Sequence, residues 1–264
     1  MRIIIILIIT LFFIIFKKNY IEKLEYVPKI IWAYWDSNNL PELVQLCQKN
    51  WKKFAPNYDI RLINKEQAKK LVDLPTYWDK LKPFRQADVF RLKVLEKYGG
   101  VWMDASIILL NNPDNFINPN GLTLFTTPAS NNENKIFENW FISSPANNDI
   151  IKKWWLEVDK ALTNYKDYVK NSPEKNLVDV ENPYYLVCHL ALKNIYENDK
   201  DFFRDVKIYD CNETAFYEHK KLGWNNVGKK IFKDFTLDPN RLMVKFRGGD
   251  RRKFDCRDFP KILL

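Results

Sequence analysis

Hydrophobic positions recur along this chain at spacings that switch between those of strands and helices. Lys29 to Trp35 (KIIWAYW) is β-branched and aromatic and runs into Asp36-Ser37-Asn38-Asn39, which predicts a strand and then a turn. Pro41 to Phe54 places Leu43, Val44, Leu46, Cys47, Trp51 and Phe54 at helical spacing. Tyr58 to Ile63 predicts a second strand. Asn64 then caps a helix over Lys65 to Val72, with Glu66 and Gln67 in its first turn. The next unit, Phe84 to Leu110, organises the rest. Pro83 suits a first helical turn. Val89, Leu92 and Leu95, with Phe90 and Val94, carry the helical period. Gly99-Gly100 stops it, Val101 to Met103 predicts a strand, and Asp104 stands at the strand's end before a second apolar run.

Further on, 111–120 (NNPDNFINPN) is turn-rich and Leu122 to Thr126 predicts a strand. Ile136 to Ser143 is apolar again, and Ile150 to Leu162 and Pro183 to Tyr196 predict helices. Beyond residue 200 the pattern loosens, with short strands at Val206–Tyr209 and Leu242–Phe246. Strands alternating with helices imply an α/β layered fold with a largely parallel sheet. Ligands in such folds bind beyond the carboxyl ends of strands, so Trp35 and Asp104 belong near one cleft.

Composition fits this picture. The chain has 264 residues, 46% hydrophobic, enough for a large core. The net charge of +9 gathers partly in Arg241, Lys245, Arg247, Arg251, Arg252 and Lys253. Both a solvated basic surface and an anionic partner fit. No zinc-finger spacing or RNP-like motif accompanies the charge, so nucleic acid is not an expected partner. The four cysteines form no CxxC pair and predict free or buried thiols. Two histidines are too few for a His-based metal site. His189, in YYLVCHLAL, reads as a core histidine, and His219 as no more than a neighbour of basic residues.

Ile3 to Phe16 is apolar apart from Thr10 and is flanked by Arg2 and Lys17-Lys18. It is shorter than the roughly 20 residues of a spanning helix, and no small-residue cleavage site follows. The expectation is an uncleaved signal anchor over residues 1–26, followed by one globular domain over 27–264.

Two features carry candidate chemistry. Asp104, after a tight glycine turn, could ligate an oxygen-loving cation such as Mn²⁺ or Mg²⁺, or could simply close a turn. Asp88 and Arg91 share a helix face. On an apolar helix they fit a cleft, where the carboxylate would accept from hydroxyls and the guanidinium would grip a phosphate.

The helix–YGG–strand–Asp unit resembles the donor-site segment of the capsular polysaccharide synthesis family and its relatives, the DxD-motif mannosyltransferases and the glucosylating domains of clostridial toxins. Collinear stretches extend the resemblance over roughly residues 28–200. They are KIIWAYW with Pro41-Glu42-Leu43-Val44 and Cys47, Leu74-Pro75 with Tyr77, and Glu138-Asn139-Trp140-Phe141-Ile142 with Ser144-Pro145. The resemblance implies a GT-A-like, Rossmann-type mixed sheet, mostly parallel and flanked by helices. It implies a glycosyltransferase that moves a sugar, a hexose by expectation, from a nucleotide-sugar donor to a carbohydrate acceptor. Trp35, with Ala33 and Tyr34, would lie against the nucleotide. Asp88 would bind sugar hydroxyls, Arg91 the sugar or its phosphate, and Asp104 and Ala105 the ribose side. Asp104 and Ser106 would hold Mn²⁺ or Mg²⁺, with Ser106 standing where the second Asp of DxD belongs. Asn139 and Trp140 complete the donor side. Because a serine is a weak metal ligand, Lys245 and Arg247 are expected to share the phosphate charge with Arg91. Glu138 is the candidate base if transfer inverts; a retaining transfer needs none. The alternative reading is a membrane-tethered, inactive relative that binds a nucleotide sugar or glycan.

Overall fold

The computed structural model describes residues 26–131, 134–171, 184–233, 235, 237–238 and 240–264. The strands are β1 (Ile30–Tyr34), β2 (Asp59–Ile63), β3 (Gly100–Met103), β4 (Ile107–Leu109), β5 (Thr123–Phe125), β6 (Phe141–Ser144), β7 (Lys207–Tyr209) and β8 (Met243–Lys245). The helices are α1 (Glu42–Phe54), α2 (Lys65–Leu71), α3 (Pro83–Tyr98), α4 (Asp149–Thr163), α5 (Tyr165–Asn171), α6 (Val187–Asn198), α7 (Tyr217–Leu222), α8 (Val227–Lys230) and α9 (Gly248–Lys253).

Six strands form the main sheet in the order β2-β1-β3-β6-β5-β7. β1 is parallel to β2 and β3, and β5 is parallel to β7, while β6 is antiparallel to both neighbours. Five strands therefore run one way and β6 runs against them. The expected mixed, mostly parallel sheet flanked by helices is what forms. Side chains alternate across it, as the pleat requires. Ile31, Ala33, Val101, Met103 and Phe141 face one apolar layer with Trp51 of α1 and the C-terminal elements. Trp32, Tyr34, Trp102 and Ile142 face the other, with Phe90 of α3 and Trp154 of α4.

The predicted boundaries hold to within a few residues where periodicity was clear. Asn64 caps α2 in a reciprocal capping box with Gln67. Pro83 occupies the first turn of α3. Beyond residue 200, sequence periodicity missed α7, α8 and α9. Helices of four to six residues make too few turns for a 3.6-residue period to show. The anchor expected at 1–26 lies, apart from Tyr26, outside the described residues. Among the described residues no helix is long and apolar enough to cross a membrane.

Two junctions place the residues that matter. The first joins α3 to β3. Gly99 has φ +63° and Gly100 φ +102°, conformations that side chains resist. A Cβ on Gly99 would stand 2.5 Å from the Ala146 nitrogen, and one on Gly100 would stand 2.7 Å from the Ile30 carbonyl oxygen. The double glycine thus lets α3 turn directly into the centre of the sheet. The second junction follows Met103. The Asp104 N–H donates to the Trp140 carbonyl, extending the β3–β6 ladder by one residue, and the Ile107 N–H closes a turn on the Asp104 carbonyl. β4 then pairs antiparallel with β8, Ile107 opposite Lys245. Asn50 of α1 holds this small ribbon: its amide donates to the carbonyls of Leu109 and Leu263 and accepts from the Leu109 N–H.

Gly100→Ala is expected to destabilise the chain by at least about 1–3 kcal/mol, from its backbone conformation before any clash is counted. Gly249→Ala meets nothing within 4 Å and is expected to change stability by no more than about 1 kcal/mol. Urea midpoints of the two variants check this pair.

Candidate active site

α3 and the Asp104 turn meet at the carboxyl ends of β1 and β3. The cleft there encloses about 380 Å³ and is lined by Tyr34, Trp35, Asp36, Asp88, Arg91, Trp102, Asp104, Ala105, Ser106, Asn139, Tyr185, His189 and Arg251, among others. Its size falls within the range of small-molecule sites. Tyr34, Trp35, Asp88, Arg91, Asp104, Ala105, Ser106 and Asn139, eight of the residues singled out from sequence, come together at this cleft.

Asp88 and Arg91 are buried, so they are not a surface pair. One Asp88 carboxylate oxygen accepts from Arg85 at 2.6 Å. The other accepts from the Asn139 amide at 2.9 Å and lies 3.1 Å from Arg91. Arg91 also donates to the Asn139 carbonyl and lies over the Trp102 ring, 5.0 Å from its centroid. Its second terminal nitrogen is 3.5 Å from Asp104. α3 thus delivers a guanidinium that is held on three sides and directed at the strand-end carboxylate.

Asp104 remains partly open, its side chain 27% exposed. One oxygen accepts from the Trp102 indole N–H at 3.1 Å and faces Arg91; the other accepts from the Lys245 ammonium at 2.8 Å. Burial alone would raise its pKa, but Lys245 and Arg91 outweigh that and hold the carboxyl below the usual range. Burial pushes Lys245 below the ordinary lysine range, and Asp104 opposes that push.

Ser106 does not point outward as a ligand. Its hydroxyl donates to the Phe246 carbonyl at 3.0 Å and accepts from Lys245 at 3.1 Å and from Arg251 at 3.2 Å. A hydroxyl has one proton and two lone pairs, and all three are used. Among the described residues no group of three His, Cys, Asp or Glu side chains is placed to hold a metal ion. The donor set offered by Asp104 and Ser106, one already paired with an ammonium and the other saturated, does not fit a divalent cation.

Other expected residues sit elsewhere. Ala33 points into the core layer beneath the sheet. Trp140 is buried against Phe125 and Phe216. Arg247 caps α9, paired with Asp250 at 3.0 Å and stacked on Trp224. Glu138 lies 3.3 Å from His189, and His189 lines the cleft. His189 is buried, as expected of a histidine on an apolar helix, and its imidazole also lines the cleft; its Nδ1 has no hydrogen-bond partner among the described residues. His219 is fully buried against Asp250, 2.9 Å away. Sequence reasoning passed over Arg251, Arg85 and Trp102. Arg251 was visible only as one of six basic residues, and nothing local marks it, because the β4–β8 pairing brings it to Ser106.

Fold and cleft define an α/β protein whose site is built at a strand-end carboxylate that Arg91 and Lys245 meet. The family model for capsular polysaccharide synthesis proteins matches residues 11–236, and the chain belongs to that family. Over 87 residues it is 30% identical to inositol phosphoceramide mannosyltransferase 3 of Schizosaccharomyces pombe. That match takes in 31% of this chain and spans about a quarter (24%) of the relative's length. Among solved structures, the PaToxG glycosyltransferase aligns over 86% of this chain and 84% of its own, at 18% identity and a TM-score of 0.43. A glycosyltransferase involved in glycosylation of the major capsid of PBCV-1 aligns over 86% and 97%, at 12% identity and a TM-score of 0.45.

Asp88→Ala leaves two buried guanidiniums without their shared counter-charge and is expected to cost about 3–5 kcal/mol, read from denaturant unfolding. Asp250 gives a pH signature. Burial opposes its ionisation, but hydrogen bonds from His219 and Arg247 prevail and push its pKa well down. Its contribution is present above the unfolded carboxyl value of about 3.9 and is lost as pH falls from there through the lower folded value. The stability gap between wild type and Asp250→Asn, followed by urea titration, is expected to narrow as pH falls below about 4.

Proposed function

We propose that the protein is a glycosyltransferase that moves a sugar from a nucleotide-sugar donor to a carbohydrate acceptor. The observation that carries this reading is the convergence of Arg91, Lys245 and Arg251 on the Asp104–Ser106 turn, beside a half-buried Trp35 at the cleft. Membership of a capsular polysaccharide synthesis family supports it.

The chemistry needs these parts. The bond from the sugar C1 to the terminal phosphate oxygen breaks, and a bond from C1 to an acceptor hydroxyl oxygen forms. Negative charge grows on the departing nucleoside diphosphate. Preplaced guanidinium and ammonium groups stabilise that charge without reorganising. Trp35 offers an aromatic face to the base, since stacking on such a platform contributes about 1–3 kcal/mol per base. Asp88, locked by Arg85 and Asn139, accepts from sugar hydroxyls. The acceptor hydroxyl gives up its proton as the new bond forms. The Glu138–His189 pair is the group that takes it in an inverting transfer, with His189 at the cleft edge and Glu138 orienting the imidazole. In the same reading the apolar run Ile3–Phe16 tethers the enzyme to a membrane, and the donor sugar is a hexose.

Release of nucleoside diphosphate from a panel of nucleotide sugars tests the proposal. At least one donor is expected to turn over. Arg251→Ala is expected to lower kcat by about tenfold or more, and Trp35→Ala to raise the donor KM by roughly 5- to 150-fold with a smaller change in kcat. Donor binding without turnover of any sugar, in the presence of acceptor glycans, would instead identify a binding protein.

A further inference from the structure

The Asp104-Ala105-Ser106 turn differs in charge from a turn with carboxylates at both ends. Two carboxylates present a charge of −2 and suit a divalent cation. Here the turn carries −1, and one ammonium meets it. Lys245 Nζ lies 2.8 Å from Asp104 Oδ2 and 3.1 Å from Ser106 Oγ, bridging the first and third residues of the turn. The backbone leaves this lysine little choice of position. Ile107 pairs with Lys245 across β4 and β8, and the Phe246 N–H donates to the Ser106 carbonyl. Lys245 is buried, its side chain 8% exposed, and it meets the turn from within the protein, while Arg91 and Arg251 line the cleft.

The neighbours complete the pattern. The remaining Asp104 oxygen faces Trp102 and Arg91, and the Ser106 hydroxyl spends its proton on Phe246 and its lone pairs on Lys245 and Arg251. A divalent ion entering between Asp104 and Ser106 would have to displace the ammonium and would leave two cations side by side in a buried site. Serine at 106 is what allows the arrangement: a neutral hydroxyl accepts from two cationic side chains at once, and its own proton is anchored on a backbone carbonyl.

We propose that the Lys245 ammonium takes the place of a divalent cation, so that the chain binds the diphosphate of its donor through Lys245, Arg251 and Arg91 without metal. This rests on the nucleotide-sugar reading above. It converts Ser106 from a weakened metal ligand into the acceptor of a fixed-cation site.

The test uses the full chain in detergent, with uridine and guanosine diphosphate as probes. Affinity is measured by titration calorimetry in EDTA and in excess Mn²⁺, and metal binding is followed by the six-line electron paramagnetic resonance signal of free Mn²⁺. Wild type is expected to bind at least one diphosphate with affinities in EDTA and Mn²⁺ that agree within about twofold. It is also expected to leave the Mn²⁺ signal unattenuated. Lys245→Ala is expected to lose about tenfold or more in EDTA and to recover part of that in Mn²⁺, with attenuation of the signal, because the turn is then open to a metal. Wild-type binding that collapses in EDTA and returns with bound Mn²⁺ would overturn the assignment of Lys245 and leave the donor reading intact. If neither diphosphate bound under either condition, the donor reading itself would fail, and this inference with it. The wild-type arm decides the matter even if Lys245→Ala does not fold.

Discussion

A continuous run of paired charges crosses the protein from Arg85 through Asp88, Arg91, Asp104 and Lys245 to Ser106 and Arg251. It joins α3 and the end of β3 to β8 and α9, with Asp104 and Lys245 141 residues apart in sequence. Buried ions are expensive, and a pair can fail to recover its desolvation penalty. Here each buried ion contacts more than one partner, and the backbone carbonyls of Asn139 and Phe246 take up remaining donors. Such a network stabilises only when complete, so the junctions that assemble it carry the structure. These are the Gly99-Gly100 turn and the β4–β8 ribbon clasped by Asn50.

The same constraint explains how the site could act on a charged leaving group. Side chains that already hold one another, in a cleft lined by Trp102 and Tyr185, do not have to be ordered when substrate binds. Fixed dipoles and charges of this kind are worth more in a low-dielectric pocket than in water. Arg251 stands apart from the buried members. It is exposed, yet it reaches the Ser106 hydroxyl, so it can approach an incoming anion while the others stay in place.

Much of the fold was legible because its first half is periodic. KIIWAYW, the α1 and α3 patterns, Asn64 and the double glycine each point to a local structure, and each forms as the pattern implies. The local half of the site was legible for the same reason: Trp35, Asp88, Arg91 and Asp104 lie at strand ends or on one helix face. What could not be read was set by long-range pairing. Nothing around Lys245 or Arg251 says that β8 will lie against β4. Ala33 and Trp140 were expected at the site from the resemblance, and both are buried in the core instead. His189 looked like core because its helix is apolar. It is buried, and it also lines the cleft and pairs with Glu138, 51 residues away in sequence.

The account turns on one arrangement, fixed cations gathered at Asp104 to receive a diphosphate. A crystal structure of the chain grown with a nucleoside diphosphate and Mn²⁺, with diffraction recorded at the manganese edge, tests it most directly. The account predicts the base against Trp35, phosphate oxygens within hydrogen-bond reach of Lys245 and Arg251, and no anomalous peak between Asp104 and Ser106. A manganese peak at that point with Lys245 turned away, or a nucleotide bound outside this cleft, would contradict it.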